Sequence, residues 1–142
     1  MPNHQTHDTI GVVSVIPISL TTVYLGYSMP YVITLGLGVI LATYFLSPDL
    51  DLYSRIYRRW GIFRWIWLPY QWIIPHRSWL SHSGPISATI RIIYLSLWFL
   101  PLLFFFPIPL GNLHFQTFCG MLWLSVVIAD SIHVLADVFW KD

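Results

Sequence analysis

The chain has 142 residues, 56% of them apolar, 18% aromatic and only 9% charged, where an ordinary soluble domain carries about 25% charged residues. A formal charge of +1 excludes a basic nucleic-acid module, and a mean hydropathy of +0.67 with long uncharged runs describes a lipid-embedded chain. The one cysteine, Cys119, excludes an internal disulfide and a cysteine-based metal cluster, and all six acidic residues are Asp, so site chemistry rests on Asp and His.

In chain order, the forty residues between Asp8 and Asp49 carry no charge. Tyr27-Ser28-Met29-Pro30 interrupts them with a turn signal, which predicts two spans at about 10–28 and 31–46. The second is short for a ~30 Å hydrocarbon core at 1.5 Å per residue. Residues 47–85 differ: they hold Arg55, Arg58, Arg59, Arg64, Arg77 and five of the eight tryptophans, in apolar pieces too short to cross a bilayer. Arg with Trp and Tyr suits the headgroup layer, so this is expected to be an interfacial segment. A second charge-free gap, thirty-eight residues between Arg91 and Asp130, predicts spans at about 86–106, ended by Pro107 and Pro109, and 115–139.

The expected architecture is all-α: one integral membrane domain over residues 1–142, a four-helix transmembrane bundle with an Arg/Trp-rich interfacial segment between helices 2 and 3. No Lys or Arg precedes Arg55, so no basic signal-peptide n-region is read. The interfacial segment and Lys141 place the basic loop residues on one face, which the positive-inside rule makes cytoplasmic together with both termini.

This topology gathers the polar groups at that face: His4, His7 and Asp8 before span one, Asp49 and Asp51 after span two, His76 and His82 before span three, and Asp130, His133 and Asp137 in the closing turns of span four. His114 is the histidine left out. In Ser47-Pro48-Asp49-Leu50-Asp51 the paired carboxylates suit an Asx-turn or cap, yet at the mouth of a membrane helix they repel one another, and a bound cation would neutralise them. In His76-Arg77-Ser78-Trp79-Leu80-Ser81-His82-Ser83 two imidazoles stand among hydroxyls able to orient them. Arg77 suits either a lipid headgroup or a substrate anion. Asp130, His133 and Asp137, spaced i, i+3 and i+7, share one helical stripe, which is costly in an apolar helix unless the groups are paired or ligate something. Asp130 lies about 10 Å deeper than Asp137, and Arg91 about 9 Å inside span three, so these two are expected to pair. Asp8 suits an N-cap for span one.

Taken together, Thr6-His7-Asp8, Ser47-Pro48-Asp49-Leu50-Asp51, Arg59-Trp60-Gly61, Trp65-Ile66-Trp67-Leu68-Pro69-Tyr70, His76-Arg77-Ser78-Trp79-Leu80-Ser81-His82 and His133-Val134-Leu135-Ala136-Asp137 resemble small integral membrane proteins, found chiefly in cyanobacteria, described only as metal-binding proteins of unknown function. More distantly the set resembles bacterial membrane-bound metal-dependent hydrolases, although Ser78-Trp79-Leu80-Ser81 stands where those usually have Gly and Thr. The resemblance implies metal ligands at His7, Asp49, Asp51, His76, His82, His133 and Asp137, with Arg77 matched but not a ligand. Four His and three Asp exceed one tetrahedral ion, so one or two divalent ions, Zn, Mn or Fe, are expected. The functional expectation is an integral membrane metal-binding protein acting as a hydrolase on a phosphoester or lipid, with Arg77 steadying the anion and an unligated Asp as base. The alternative is a non-enzymatic, metal-stabilised membrane subunit or assembly factor. Transport is disfavoured because the far half of every span lacks charge.

Overall fold

In a computed structural model of the protein, which describes residues 4–103, 105–106 and 108–139 with the side chains of His4 and Leu103 left out, every regular element is helical. Lys141, Asp142, Phe104 and Pro107 lie outside the described residues, so the parts of the orientation count and of the third helix's end that rest on them do too. The elements are α1 (His4–Val13), α2 (Val15–Tyr24), α3 (Met29–Phe45), α4 (Arg55–Arg59), α5 (Leu68–Ile73), α6 (Trp79–His82), α7 (Pro85–Leu103) and α8 (Leu113–Phe139), with 3₁₀ turns at Pro48–Asp51 and Gly61–Trp67.

Three stretches are long and apolar enough to cross a membrane: Met29–Asp51, Pro85–Leu102 and Leu113–Phe139. The expected first span is instead two ten-residue helices, α1 and α2. The interruption follows from Pro17, which has no N–H to give to Val13, although the bonds from Ser14 to Ile10 and from Ile18 to Ser14 carry the helical path across it. α2 gives way at Gly26, whose φ of +80° suits a residue without Cβ and lets Tyr27 N–H close back on the Thr22 carbonyl. α3 then starts at Met29 with Pro30 in its first turn. α7 ends at Leu103, three residues short of the expected span, with Pro101 in its last turn. The Asn112 side chain caps α8 by accepting from Phe115 N–H at 3.2 Å.

The three membrane-length helices pack together with the α1–α2 pair. α8 is the spine: α3 lies along it, α1 and α7 flank it, and α2 packs on α3. Gly38 permits the close crossing of α3 and α8, since a Cβ there would run into the Ser125 side chain. At the far end Tyr31 Oη meets His114 Nδ1 at 2.8 Å, which gives the isolated histidine a partner.

Residues 47–84 fold over the other end and have a small core of their own, Leu50, Ile56, Tyr57, Trp67, Tyr70 and Ile74. This core sharpens the interfacial expectation. Trp65, Trp72 and Trp79 are exposed as headgroup-facing rings would be, but Trp67 is fully buried. The segment is therefore a folded cap. It is tied down by Trp60 Nε1 donating to the Phe45 carbonyl at 2.9 Å and by Tyr94 Oη donating to the Ile66 carbonyl.

Candidate metal centre

The site is built where α3 gives way to the cap. Ser47 is extended, and Pro48 opens the 3₁₀ turn that carries both carboxylates. At about 120° per residue, positions i and i+2 of such a turn diverge, and the two Asp side chains take different partners. Asp49 Oδ1 lies 3.6 Å from His133 Nε2. Asp51, fully buried at its side chain, lies 2.8 Å from His76 Nδ1 and 3.7 Å from His82 Nδ1, and it accepts the Arg77 backbone N–H at 3.3 Å. Arg77 holds that N–H in place with a left-handed backbone, φ +55°, which costs a non-glycine residue about 1–2 kcal/mol. Gln71 Nε2 pins the turn from outside, donating to the carbonyls of Leu50 at 3.0 Å and Leu52 at 2.9 Å.

α8 brings the expected stripe to the same place, and α1 brings His7. His133 Nε2 is 3.6 Å from Asp137 Oδ2, and His7 Nε2 is 3.2 Å from Asp137 Oδ1. The His7 and His133 rings stack at 4.1 Å. Two groups result whose ligand atoms all lie within 4.8 Å of one another: His7, His133 and Asp137, and Asp49, His82 and His133. His133 belongs to both. Its Nδ1 faces Ser47 Oγ at 3.3 Å, while both carboxylates sit at its Nε2. His82 is oriented similarly, with Nδ1 against Ser81 Oγ at 2.8 Å. These are the outer partners that fix a ligating imidazole.

Burial lowers the pKa of both His7 and His82 below the ordinary histidine value. For His7 the neighbouring His133 adds to the effect, against the pull of Asp137 and Asp49. For His82 the carboxylates of Asp51 and Asp49 oppose it. Both rings are thus held as neutral lone-pair donors, the form that binds metal.

Beside the ligands lies a cavity of about 20 Å³, room for one water or ion. His7, Ser47, Asp49 and His133 line it, and so do Asp8, Arg55 and Arg59. Asp8 is not an N-cap, because α1 already runs through it; its carboxylate is gripped by both terminal nitrogens of Arg59. Arg59 also donates to the Tyr44 carbonyl at 3.3 Å and lies 4.6 Å above the Tyr44 ring. Arg77, exposed, does not line this cavity.

Of the seven ligands expected, the structure brings His7, Asp49, His82, His133 and Asp137 into the two groups and sets Asp51 and His76 behind His82. Ser81 plays the orienting part foreseen for a loop hydroxyl, whereas Ser83 Oγ is buried with no hydrogen-bond partner among the described residues. Ser47, Arg55 and Arg59 appear in the sequence motifs but were not expected as site residues. The first carries no signal beyond its place before Pro48, and the arginines read as headgroup contacts like any others in the segment. The pairing expected from matched depth forms: Arg91 meets Asp130, both wholly buried.

A helical bundle with membrane-length helices and a His/Asp cluster at one end defines a candidate membrane metal protein. The chain belongs to the DUF2227 family of uncharacterized metal-binding proteins, whose model matches residues 2–140. It is also similar to an uncharacterized protein of Aquifex aeolicus, 29% identical over 128 residues covering 76% of this chain and 90% of the relative. No solved structure matches.

Proposed function

We propose that this protein is an integral membrane metal-binding protein, a single domain over its whole length, that holds one divalent ion at the cytoplasmic end of its bundle and uses it to hydrolyse a phosphoester or lipid at the membrane surface. The observation that carries the metal is donor spacing. Neighbouring ligands of a tetrahedral ion with bonds of about 2.0–2.1 Å stand about 3.3 Å apart, and His7 Nε2 to Asp137 Oδ1, His133 Nε2 to Asp137 Oδ2 and His133 Nε2 to Asp49 Oδ1 are 3.2, 3.6 and 3.6 Å. One ion suits these donors better than two, since both groups converge on the single Nε2 of His133. The ligands are drawn from His7, Asp49, His82, His133 and Asp137, and Asp51 with His76 backs His82.

Imidazole and carboxylate without thiolate suits zinc, manganese or iron. Such an ion supplies a lowered water pKa and a polarising charge. The chain supplies the rest. Arg55 lines the ligand cavity, where a guanidinium matches the single phosphate oxygen such a space admits, while Arg59 beside it is held by Asp8.

A non-enzymatic clamp is the second reading, favoured by the origin of the ligands in four separate elements that an ion would tie together. Release of phosphate or headgroup from phospholipid vesicles by protein loaded with zinc, manganese or iron separates the two. Hydrolysis lost in His133→Gln supports the enzyme. No hydrolysis by any loaded form, with a large fall in melting temperature on metal removal, supports the clamp. Fusions reporting cytoplasmic location at both termini support the four-pass orientation, and opposite locations refute it.

A further inference from the structure

Arg91 is the largest charged side chain buried in the bundle, fully inaccessible on α7, and so is its partner Asp130 on α8. A buried pair of this kind is not expected to stabilise more than well-packed apolar residues of like volume, so its presence here calls for another explanation. The guanidinium has a second partner: Nη1 donates to the backbone carbonyl of Ser81 at 3.3 Å. Asp130 Oδ2 in turn accepts from Arg91 Nη2 and from Ser87 Oγ, the latter at 2.9 Å. One guanidinium thereby links three elements. Ser81 directly precedes His82 and is itself buried against it, with Oγ on His82 Nδ1. Asp130 stands one helical turn before His133 on the same stripe.

We infer that Arg91 is a positioning residue of the metal centre: it fixes the distance between the short α6 loop that carries His82 and the α8 stripe that carries His133 and Asp137. The inference rests on the metal reading above for its consequence but not for its geometry. Asp51 also holds this loop to the 3₁₀ turn, through His76, His82 and the Arg77 N–H, and Ser81 Oγ donates to the Pro75 carbonyl, but those ties run to the turn and within the loop, whereas the Arg91 link runs to α8. Without it the distance from His82 to His133 is no longer fixed from that side, although no ligand has been touched.

The discriminating variant is the double substitution Arg91→Leu with Asp130→Leu, compared with each single change. The singles strand a buried charge and unfold readily. The double removes both charges and recovers stability, so it isolates the lost tie to Ser81. Amide hydrogen exchange of the metal-free proteins is expected to show residues 78–84 exchanging faster in the double variant than in the native chain, with α3 and α8 still protected. Zinc affinity in the same variant is expected to fall about 10–100-fold, the effect of removing an outer partner of a ligand. Arg91→Lys with Asp130 intact keeps the charge but lacks the planar fork, and should restore folding without full affinity. Unchanged exchange at 78–84, or native zinc affinity, in a folded double variant overturns the inference. If the native chain itself takes up no zinc, manganese or iron, the metal reading fails, while the exchange comparison still decides whether Arg91 anchors the loop.

Discussion

His82 and His76 stand six residues apart in one loop and look alike in sequence, yet their surroundings differ. His82 is within a ligand group and has 14% of its side chain exposed; His76 faces Asp51 through Nδ1 and is 40% exposed. Substituting each by Gln removes the ring nitrogens while keeping a polar side chain of similar reach. Four-ligand zinc sites bind with about 10–16 kcal/mol at pH 7, or about 3 kcal/mol per ligand. At 1.4 kcal/mol per decade, His82→Gln should therefore weaken zinc binding by about two orders of magnitude. His76→Gln removes a partner of Asp51, which keeps its contacts to His82 and the Arg77 N–H, so a loss nearer to tenfold is expected. Competition against a chromophoric chelator, with the protein in detergent micelles, measures both. Equal losses, or a larger loss in His76→Gln, would refute the division into ligands and backing residues.

Acid should reach His7 and His82 late. Because burial holds both below the ordinary value of 6.5, protons do not compete for these two rings near neutrality; the part of the pH dependence of metal affinity that His7→Gln and His82→Gln remove should lie below pH 6.5. A part removed by these substitutions that lies between about pH 8 and 7 would contradict the neutral-donor assignment. The sign for folding is the same: the unfolded chain takes up these protons first, so the two groups' contribution is present above 6.5 and is lost as pH drops through and below that value. Gly38→Leu should cost about 1–3 kcal/mol by forcing α3 from α8 at Ser125. Gly120→Leu, with open space around it, should leave thermal unfolding unchanged or slightly raised.

Much of this was legible because a bilayer makes polar placement expensive. The charge-free gaps located α3, α7 and α8, and parity of the passes gathered the ligand residues at one end before any geometry was known. The Arg91–Asp130 pair followed from depth alone, since each buried charge needed the other. What the pattern could not show lies in the cap. Whether an arginine in 47–84 meets a lipid or a side chain depends on how a short-helix segment folds, so Arg59 with Asp8, and Arg55 at the cavity, were hidden among chemically equivalent residues. The same holds for the two Asp of the 3₁₀ turn: their spacing announces a pair, but only the turn's rotation sends Asp49 to His133 and Asp51 to His76. Pro17 was visible, but an apolar run with one proline is compatible with a kinked span or with two short helices.

The central claim is a single ion held by convergent His and Asp donors. Elemental analysis of the purified native protein tests it most directly, alongside Asp49→Ala and His133→Ala variants shown to fold. The expected result is about one divalent ion per chain in the native protein, as a single-centre ligand set requires, and its loss in both variants. Stoichiometry far below one, or a metal content indifferent to both substitutions, would contradict the account.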